Sequence, residues 1–234
     1  MKKLAVITGG TKGIGKALIE KFASEGFDII TCSRNENDLK VLSDDIASRF
    51  DISIKTFQVD MSKKDQVLNF VNEINQISDH VNVLINNAGL FIPGAVHEEE
   101  DGALEQMVNT NLYSAYHLTR GLIHAMKEKK AGHIFNMCST ASFVPYINGG
   151  SYCISKFALL GMSKVLREEM KEHNVRVTSI MPGATLTASW EGVELPEERF
   201  MKPEDVADAV FNAYSMSDRT VIEEIVMRPQ LGDI

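Results

Sequence analysis

Leu4-Ala5-Val6-Ile7-Thr8-Gly9-Gly10-Thr11-Lys12-Gly13-Ile14-Gly15 is the stretch that decides the fold. Its apolar opening has the length of a buried strand, and the glycines that follow allow a tight turn with positive φ. Beyond them Ile14, Leu18 and Phe22 recur every four residues, the stripe of a helix with one buried face. A strand, a glycine turn and a helix make the first half of a βα unit. The same alternation continues outward. Short β-branched runs predict strands at Leu4–Ile7, Asp28–Cys32, Ser53–Val59, Val81–Ile85, His133–Cys138, Val175–Ile180 and Val221–Met227. Val67, Val71 and Ile74 mark another helix, and a long one is expected from near Glu98 to about Lys127, burying Leu104, Met107, Val108, Leu112, Ala115, Leu118, Leu122 and Met126. The acidic run Glu98-Glu99-Glu100-Asp101 suits the positive end of that helix. The pattern predicts an α/β fold: one doubly wound Rossmann-type domain over residues 1–234, a seven-stranded parallel sheet with helices on both faces. In such a sheet the ligand lies outside the carboxyl ends of the strands.

The chain has 234 residues, 44% hydrophobic and 24% charged, an ordinary globular composition that excludes disordered, collagen-like and coiled-coil readings. Its 24 basic against 32 acidic residues give a net charge of -8, so it lacks the basic field that would draw it to nucleic acid or anionic lipid. Cys32, Cys138 and Cys153 show no CxxC spacing and point to a reducing compartment. The first apolar run is too short for a signal peptide or membrane span, so a cytoplasmic protein is expected.

Gly9, Gly13 and Gly15, with Thr11, Lys12 and Ile14, can form a dinucleotide cradle: bare backbone approaches a pyrophosphate, and a helix N-terminus offers free N–H groups to its charge. The plainer alternative is a tight strand-to-helix turn, because the spacing is not G-x-G-x-x-G. Where NAD-binding units carry an acidic residue after the second strand, this chain has Ser33-Arg34. Lys12 and Arg34 can converge on a 2'-phosphate, which predicts NADPH over NADH; otherwise they are two solvated cations. Asp60, ending the third strand, can accept from an adenine amino group. Asn86-Asn87-Ala88-Gly89 offers small residues and amides against a ribose.

Tyr152 and Lys156 stand four apart at the start of an expected helix and can share a face. Ser139 lies thirteen residues before the tyrosine, just past the fifth strand, and Asn111 lies in the long helix. Reducing a carbonyl by hydride leaves negative charge on its oxygen, so the site must donate a proton and stabilise that charge. Tyr152 is the expected donor. An ammonium about 4 Å away supplies roughly 4 kcal/mol at an effective dielectric near 20. Lys156 is therefore expected to bring the phenol well below its ordinary value of about 10.

These landmarks, in this order and over almost the whole chain, resemble the short-chain dehydrogenase/reductase family in its smaller single-domain branch. The matching elements are the TGGTKGIG turn, Asp60 with its neighbour Met61, the NNAG segment from 86 to 89, Asn111, Ser139, Tyr152 through Lys156, and Pro182-Gly183. The resemblance implies a catalytic tetrad of Asn111, Ser139, Tyr152 and Lys156. Within it Lys156 also holds the nicotinamide ribose, Ser139 binds the substrate oxygen and Asn111 positions a water that restores the proton. It further implies that Thr185 or Thr187 holds the nicotinamide carboxamide. Homodimers or homotetramers built through the fourth and fifth long helices are expected on the same ground.

The substrate should be set by loops above the tetrad, Phe143 to Asn148 and a lid from about 184 to 202, with Phe143, Tyr146 and Trp190 suiting a flat or moderately apolar carbonyl compound. Trp190 equally suits closing the lid against the body. The carboxyl-terminal stretch from Arg219 through Asp233 looks like bacterial sepiapterin reductase-like members, which implies small carbonyls such as pteridine side-chain ketones. Asp233 would then either anchor an amino-pterin ring or be an exposed tail residue. A 3-oxoacyl thioester reductase and a non-catalytic NADPH-binding regulator are the alternatives. The six histidines show no metal-ligand spacing, and Ser139 has no nucleophile-elbow context, so neither a metal nor a hydrolase is expected.

Overall fold

The computed structural model describes residues 2–190, 192 and 194–234. Seven strands, β1 (Leu4–Thr8), β2 (Asp28–Ser33), β3 (Ile54–Gln58), β4 (Val83–Asn86), β5 (His133–Met137), β6 (Arg176–Pro182) and β7 (Glu224–Met227), form one sheet in the order β3-β2-β1-β4-β5-β6-β7. Every pairing in it is parallel. All seven expected strands are present, within a few residues of their expected limits.

Alternation along the strands builds two cores. Ala5 and Ile7 of β1 face a cluster with Leu18 and Phe22 of α1 (Gly13–Ser24), Leu42 and Ile46 of α2 (Glu36–Arg49), and Val206 and Val210 of α7 (Pro203–Tyr214). Leu4 and Val6 face the opposite cluster, with Phe70 and Ile74 of α3 (Lys64–Ile77), Leu118 and Leu122 of α5 (Ser114–Lys129), and Met170 at the end of α6 (Gly150–Met170). The two-residue period of the strand sends neighbouring side chains to opposite faces, so both sides of the sheet must be covered by helices.

The long helix departs from its expected form. It begins at Ala103, after Gly102 in a left-handed conformation, as α4 (Ala103–Val108). Residues Asn109–Tyr113 then form a π-helical turn, in which the Ser114 N–H donates to the Asn109 carbonyl, before α5 resumes. The extra residue in that turn shifts the residues of α4 by about 100° from where an unbroken helix would place them. Ala103 and Met107 are therefore buried, and Leu104, expected inside on an unbroken period, is 41% exposed.

The sheet reverses direction of growth between β1 and β4. The loops leaving β1, β4, β5 and β6 open there into a cavity of about 1760 Å³.

Candidate active site

The glycine turn is held from the neighbouring strand. Thr8 Oγ1 accepts from the N–H groups of Asn87 and Ala88 at 3.0 and 2.9 Å, and Asn87 Nδ2 donates to the carbonyls of Thr8 and Gly9 at 2.9 and 3.2 Å. A Cβ on Gly15 would lie 2.1 Å from the Gly9 carbonyl oxygen, so only glycine lets α1 start this close to β1. Gly9, Thr11, Lys12, Gly13, Ile14 and Gly15 all line the cavity. Lys12, the residue before the first turn of α1, makes no side-chain cap, and that turn contains no acidic residue. The residues of that turn line the cavity, and N–H groups that no side chain caps suit an anion there.

Ser33 and Arg34 line the same cavity, as do Asp60, Met61, Ala88 and Gly89. Lys12 and Arg34 also border a shallower recess with Asn35, Asp38 and Gln58. The Lys12 ammonium is 3.5 Å from the Asp38 carboxylate, an exposed pair of little strength. Arg34 is the less encumbered cation, and its charge is felt at Asp60. Burial opposes ionisation of Asp60, but hydrogen bonds from the Ser62 N–H and hydroxyl, with Arg34 and Lys63 nearby, outweigh it and hold the carboxyl below its ordinary value.

The opposite wall comes from β5 and the first two turns of α6. Ser139 is fixed by a reciprocal cap: its hydroxyl accepts from the Ala141 N–H at 3.1 Å, and its own N–H donates to Ser142 Oγ at 3.1 Å. Tyr152 faces Ser139, with the Phe91 ring edge-on at 4.9 Å. Lys156 is 5% exposed; its Nζ donates to the Met137 carbonyl at 2.7 Å and stands 5.8 Å from the Tyr152 ring centroid. Ser139, Tyr152 and Lys156 all line the cavity, together with Pro182, Gly183, Thr185 and Thr187.

One expectation for this wall is corrected. Burial pushes the Tyr152 phenol up, not down, and the hydrogen bond with Ser139 only partly offsets it. Lys156 is itself brought down to about 8 by burial, and its hydrogen bond goes to Met137. Burial outweighs the nearby cation, and the phenol keeps its proton through neutral pH. Asn111, 1% exposed in the π turn, does not line the cavity. Its Oδ1 accepts from the Leu90 N–H at 2.7 Å, and its Nδ2 donates to the Leu90 carbonyl and to Ser155 Oγ at 2.9 and 2.8 Å. Both amide hydrogens are thus engaged within the protein, and the side chain ties Gly89-Leu90 to α6. A Cβ on Gly89 would meet Asn111 Oδ1 at 3.5 Å and Lys156 Nζ at 3.7 Å.

Of the expected substrate contacts, Tyr146 and Trp190 line the cavity, and Trp190 also packs edge-on against Phe200 at 5.1 Å. Phe143 does not line it; its ring lies under the Arg228 guanidinium at 5.6 Å, and Val144 takes the lining position. Glu191 and Val193, within the expected lid, lie outside the described residues. Asp233 is about half exposed and lines the cavity, 2.9 Å from Arg228 Nε, with Oδ1 3.0 Å from where a Cβ on Gly183 would be. Sequence reasoning missed Phe91 and the holding roles of the Thr8 and Ser142 hydroxyls and of the Glu99 carboxylate. Phe91, two residues past the NNAG segment, had no spacing signal, and the hydroxyls are recognisable only once the strands are paired.

A glycine cradle facing a Ser–Tyr–Lys wall, across the switch point of a parallel sheet, is the layout of a Rossmann-type oxidoreductase. A family model described as short chain dehydrogenase matches residues 3–198, and the chain belongs to that family. It is 34% identical over its whole length to a sepiapterin reductase of Chlorobaculum tepidum, 99% of which is covered. Among solved structures, it is similar to a metagenomic short-chain oxidoreductase in complex with NADP (TM-score 0.86, 28% identity, 97% of each chain). It is also similar to the L-sorbose reductase of Gluconobacter frateurii complexed with NADPH and L-sorbose, with a TM-score of 0.90, 27% identity, and 97% and 95% of the two chains covered. No helix among the described residues is long and apolar enough to cross a membrane.

Proposed function

We propose that this protein is an NADP(H)-dependent reductase of small ketones or aldehydes, with sepiapterin or a related carbonyl compound as the substrate class. The observation that carries the reading is one continuous cavity with the bare glycine turn at one end and Ser139, Tyr152 and Lys156 on the facing wall. The cradle fits a dinucleotide: Gly15 admits no Cβ, the first turn of α1 is free of acidic residues, and Arg34 supplies the cation for a 2'-phosphate. The bound coenzyme supplies hydride to the carbonyl carbon.

The chain's own groups then do the rest. The Ser139 hydroxyl donates a hydrogen bond to the carbonyl oxygen and orients it, and the Tyr152 hydroxyl gives that oxygen its proton as negative charge develops. Lys156, cationic below about pH 8, stabilises the phenolate left behind and holds ribose hydroxyls, and solvent returns the proton. Asn111 fixes the Gly89-Leu90 backbone that borders both partners. Tyr146, Trp190, Val144 and Asp233 shape the substrate end, where a half-exposed carboxylate suits an amino-bearing ring. The relative from Chlorobaculum tepidum, a sepiapterin reductase by name, supports that substrate class.

The three cysteines are free and buried, in keeping with a cytoplasmic setting. The exposed stripe Ile154, Phe157 and Val165 on α6, beside Tyr113 and Tyr116 next to and on α5, suits packing against a second copy as a homodimer or homotetramer. Following NADPH absorbance with sepiapterin, a diketone, a quinone and an acetoacetyl thioester tests the assignment. Oxidation with sepiapterin or the diketone is expected; a preference for the thioester supports the 3-oxoacyl reductase alternative. Tight NADPH binding with no oxidation by any of the four would leave a coenzyme-binding regulator.

A further inference from the structure

Glu99 belongs to an acidic run expected to serve the helix that follows it, yet its carboxylate goes to a different helix. The Glu98 and Glu99 N–H groups both donate to the Ala95 carbonyl, and this turn throws the Glu99 side chain across to α6. There Oε1 accepts from the Ser151 N–H at 2.8 Å and Oε2 accepts from the Ser151 hydroxyl. Gly149, the residue preceding α6, makes no side-chain cap, so a cap arrives from elsewhere in the chain.

The seat is built for it. A Cβ on Gly94 would lie 2.6 Å from Glu99 Cγ, and one on Gly150 would lie 2.2 Å from Glu99 Oε1. The Gly94 N–H donates to the Asn148 carbonyl, and Gly94 bridges to Gly149, so the 90s loop is joined to the start of α6 at three neighbouring points. Ser151 directly precedes Tyr152. Its backbone N–H is one of the helix's free donors, and fixing it sets the direction in which the first turn presents the next side chain.

We propose that Glu99 is a positioning residue for Tyr152, holding the first turn of α6 so that the phenol stands in line with the substrate oxygen. The inference rests on the reading of Tyr152 as the proton donor. Small displacements of a reacting group cost orders of magnitude in rate, so the loss of this anchor acts on turnover more than on binding.

The test compares Glu99→Ala, Glu99→Gln, Glu99→Asp and Tyr152→Phe, using whichever of the four carbonyl probes the parent protein reduces fastest. NADPH affinity is followed by fluorescence titration and folding by thermal melting. Expected for Glu99→Ala is a fall in kcat of at least about tenfold, with KM and NADPH Kd within about twofold and the protein folded at the assay temperature. Glu99→Gln, which still offers an oxygen to the Ser151 N–H, should recover kcat to within about threefold of the parent. Glu99→Asp, one methylene short, should resemble alanine. Parental kcat in Glu99→Ala with Tyr152→Phe inactive overturns the proposal and leaves Tyr152 standing. Glutamine no better than alanine, or parallel losses of kcat and NADPH affinity, also overturns it, making Glu99 a part of the scaffold. Parental turnover in Tyr152→Phe removes the underlying assignment itself.

Discussion

Two of the helices that begin at the cavity, α1 and α6, begin differently. Neither Lys12 before α1 nor Gly149 before α6 supplies a capping side chain, and neither first turn contains an acidic residue. At α1 the uncapped N–H groups belong to a turn that lines the cavity; at α6 the Glu99 carboxylate reaches in from the 90s loop and takes up Ser151. A helix N-terminus attracts negative charge, and the protein leaves that attraction available where an anionic ligand is to sit. Where a neutral phenol must be aimed, it supplies the anion itself. One start is a binding surface, the other a mount.

The largest expected effect falls on the mounted helix. Tyr152→Phe should lower turnover about a thousandfold while NADPH still quenches or enhances fluorescence with near-parental Kd; unimpaired turnover would make α6 a mere wall. Gly15→Ala should do the reverse at α1. Its methyl meets the Gly9 carbonyl, so NADPH Kd should rise on the order of a hundredfold, with kcat at saturating coenzyme changed little. If kcat collapses as well, the two helix starts are coupled and the contrast fails.

Arg34→Ala sharpens the coenzyme side further. Steady-state kinetics with both coenzymes should show kcat/KM for NADPH falling about thirtyfold and that for NADH holding, because only the 2'-phosphate meets the guanidinium. An equal loss with both would move the phosphate contact elsewhere.

The smallest effect is in pH. Lys156 has been brought down to about 8, so it is cationic below that pH and neutral above it. Reduction should therefore weaken with rising pH, roughly fourfold between pH 7 and 8.5, and a pH profile that stays flat there would detach Lys156 from the proton donor. The stability sign is opposite. The folded state releases this proton more readily than the unfolded chain does, so Lys156 contributes stability that grows as pH rises from about 8 toward about 10.4.

What was legible in the sequence follows the same division. Gly15, Thr11 and the strand that leads into them are local neighbours, and their backbone task is visible in residue type and order alone. Tyr152 and Lys156 were also legible, since four residues of helix suffice to bring them to one face. The exposure of Leu104 and the side-chain bonds of Asn111 were not, because a single π turn changes the helical phase and nothing in residues 109–113 announces it. Phe143 was misplaced for another reason. Its partner Arg228 lies far along the chain, and only the pairing of β6 with β7 brings the two together. Glu99 reads in sequence as one member of an acidic run serving the helix that follows it; the seat made by the glycines at 94 and 150 is visible only in the fold.

The π turn carries a consequence for the chain's evolution. A deletion of one residue between 109 and 113 would restore a regular spiral and leave α4 in phase with α5, because the π turn does no more than absorb the extra residue. Met107 would stay in the interior and Leu104 outside it, but the widened turn that presents the amide at 111 to Leu90 and Ser155 would be gone. Length in that short segment is therefore far less free to drift than residue identity on its outer side.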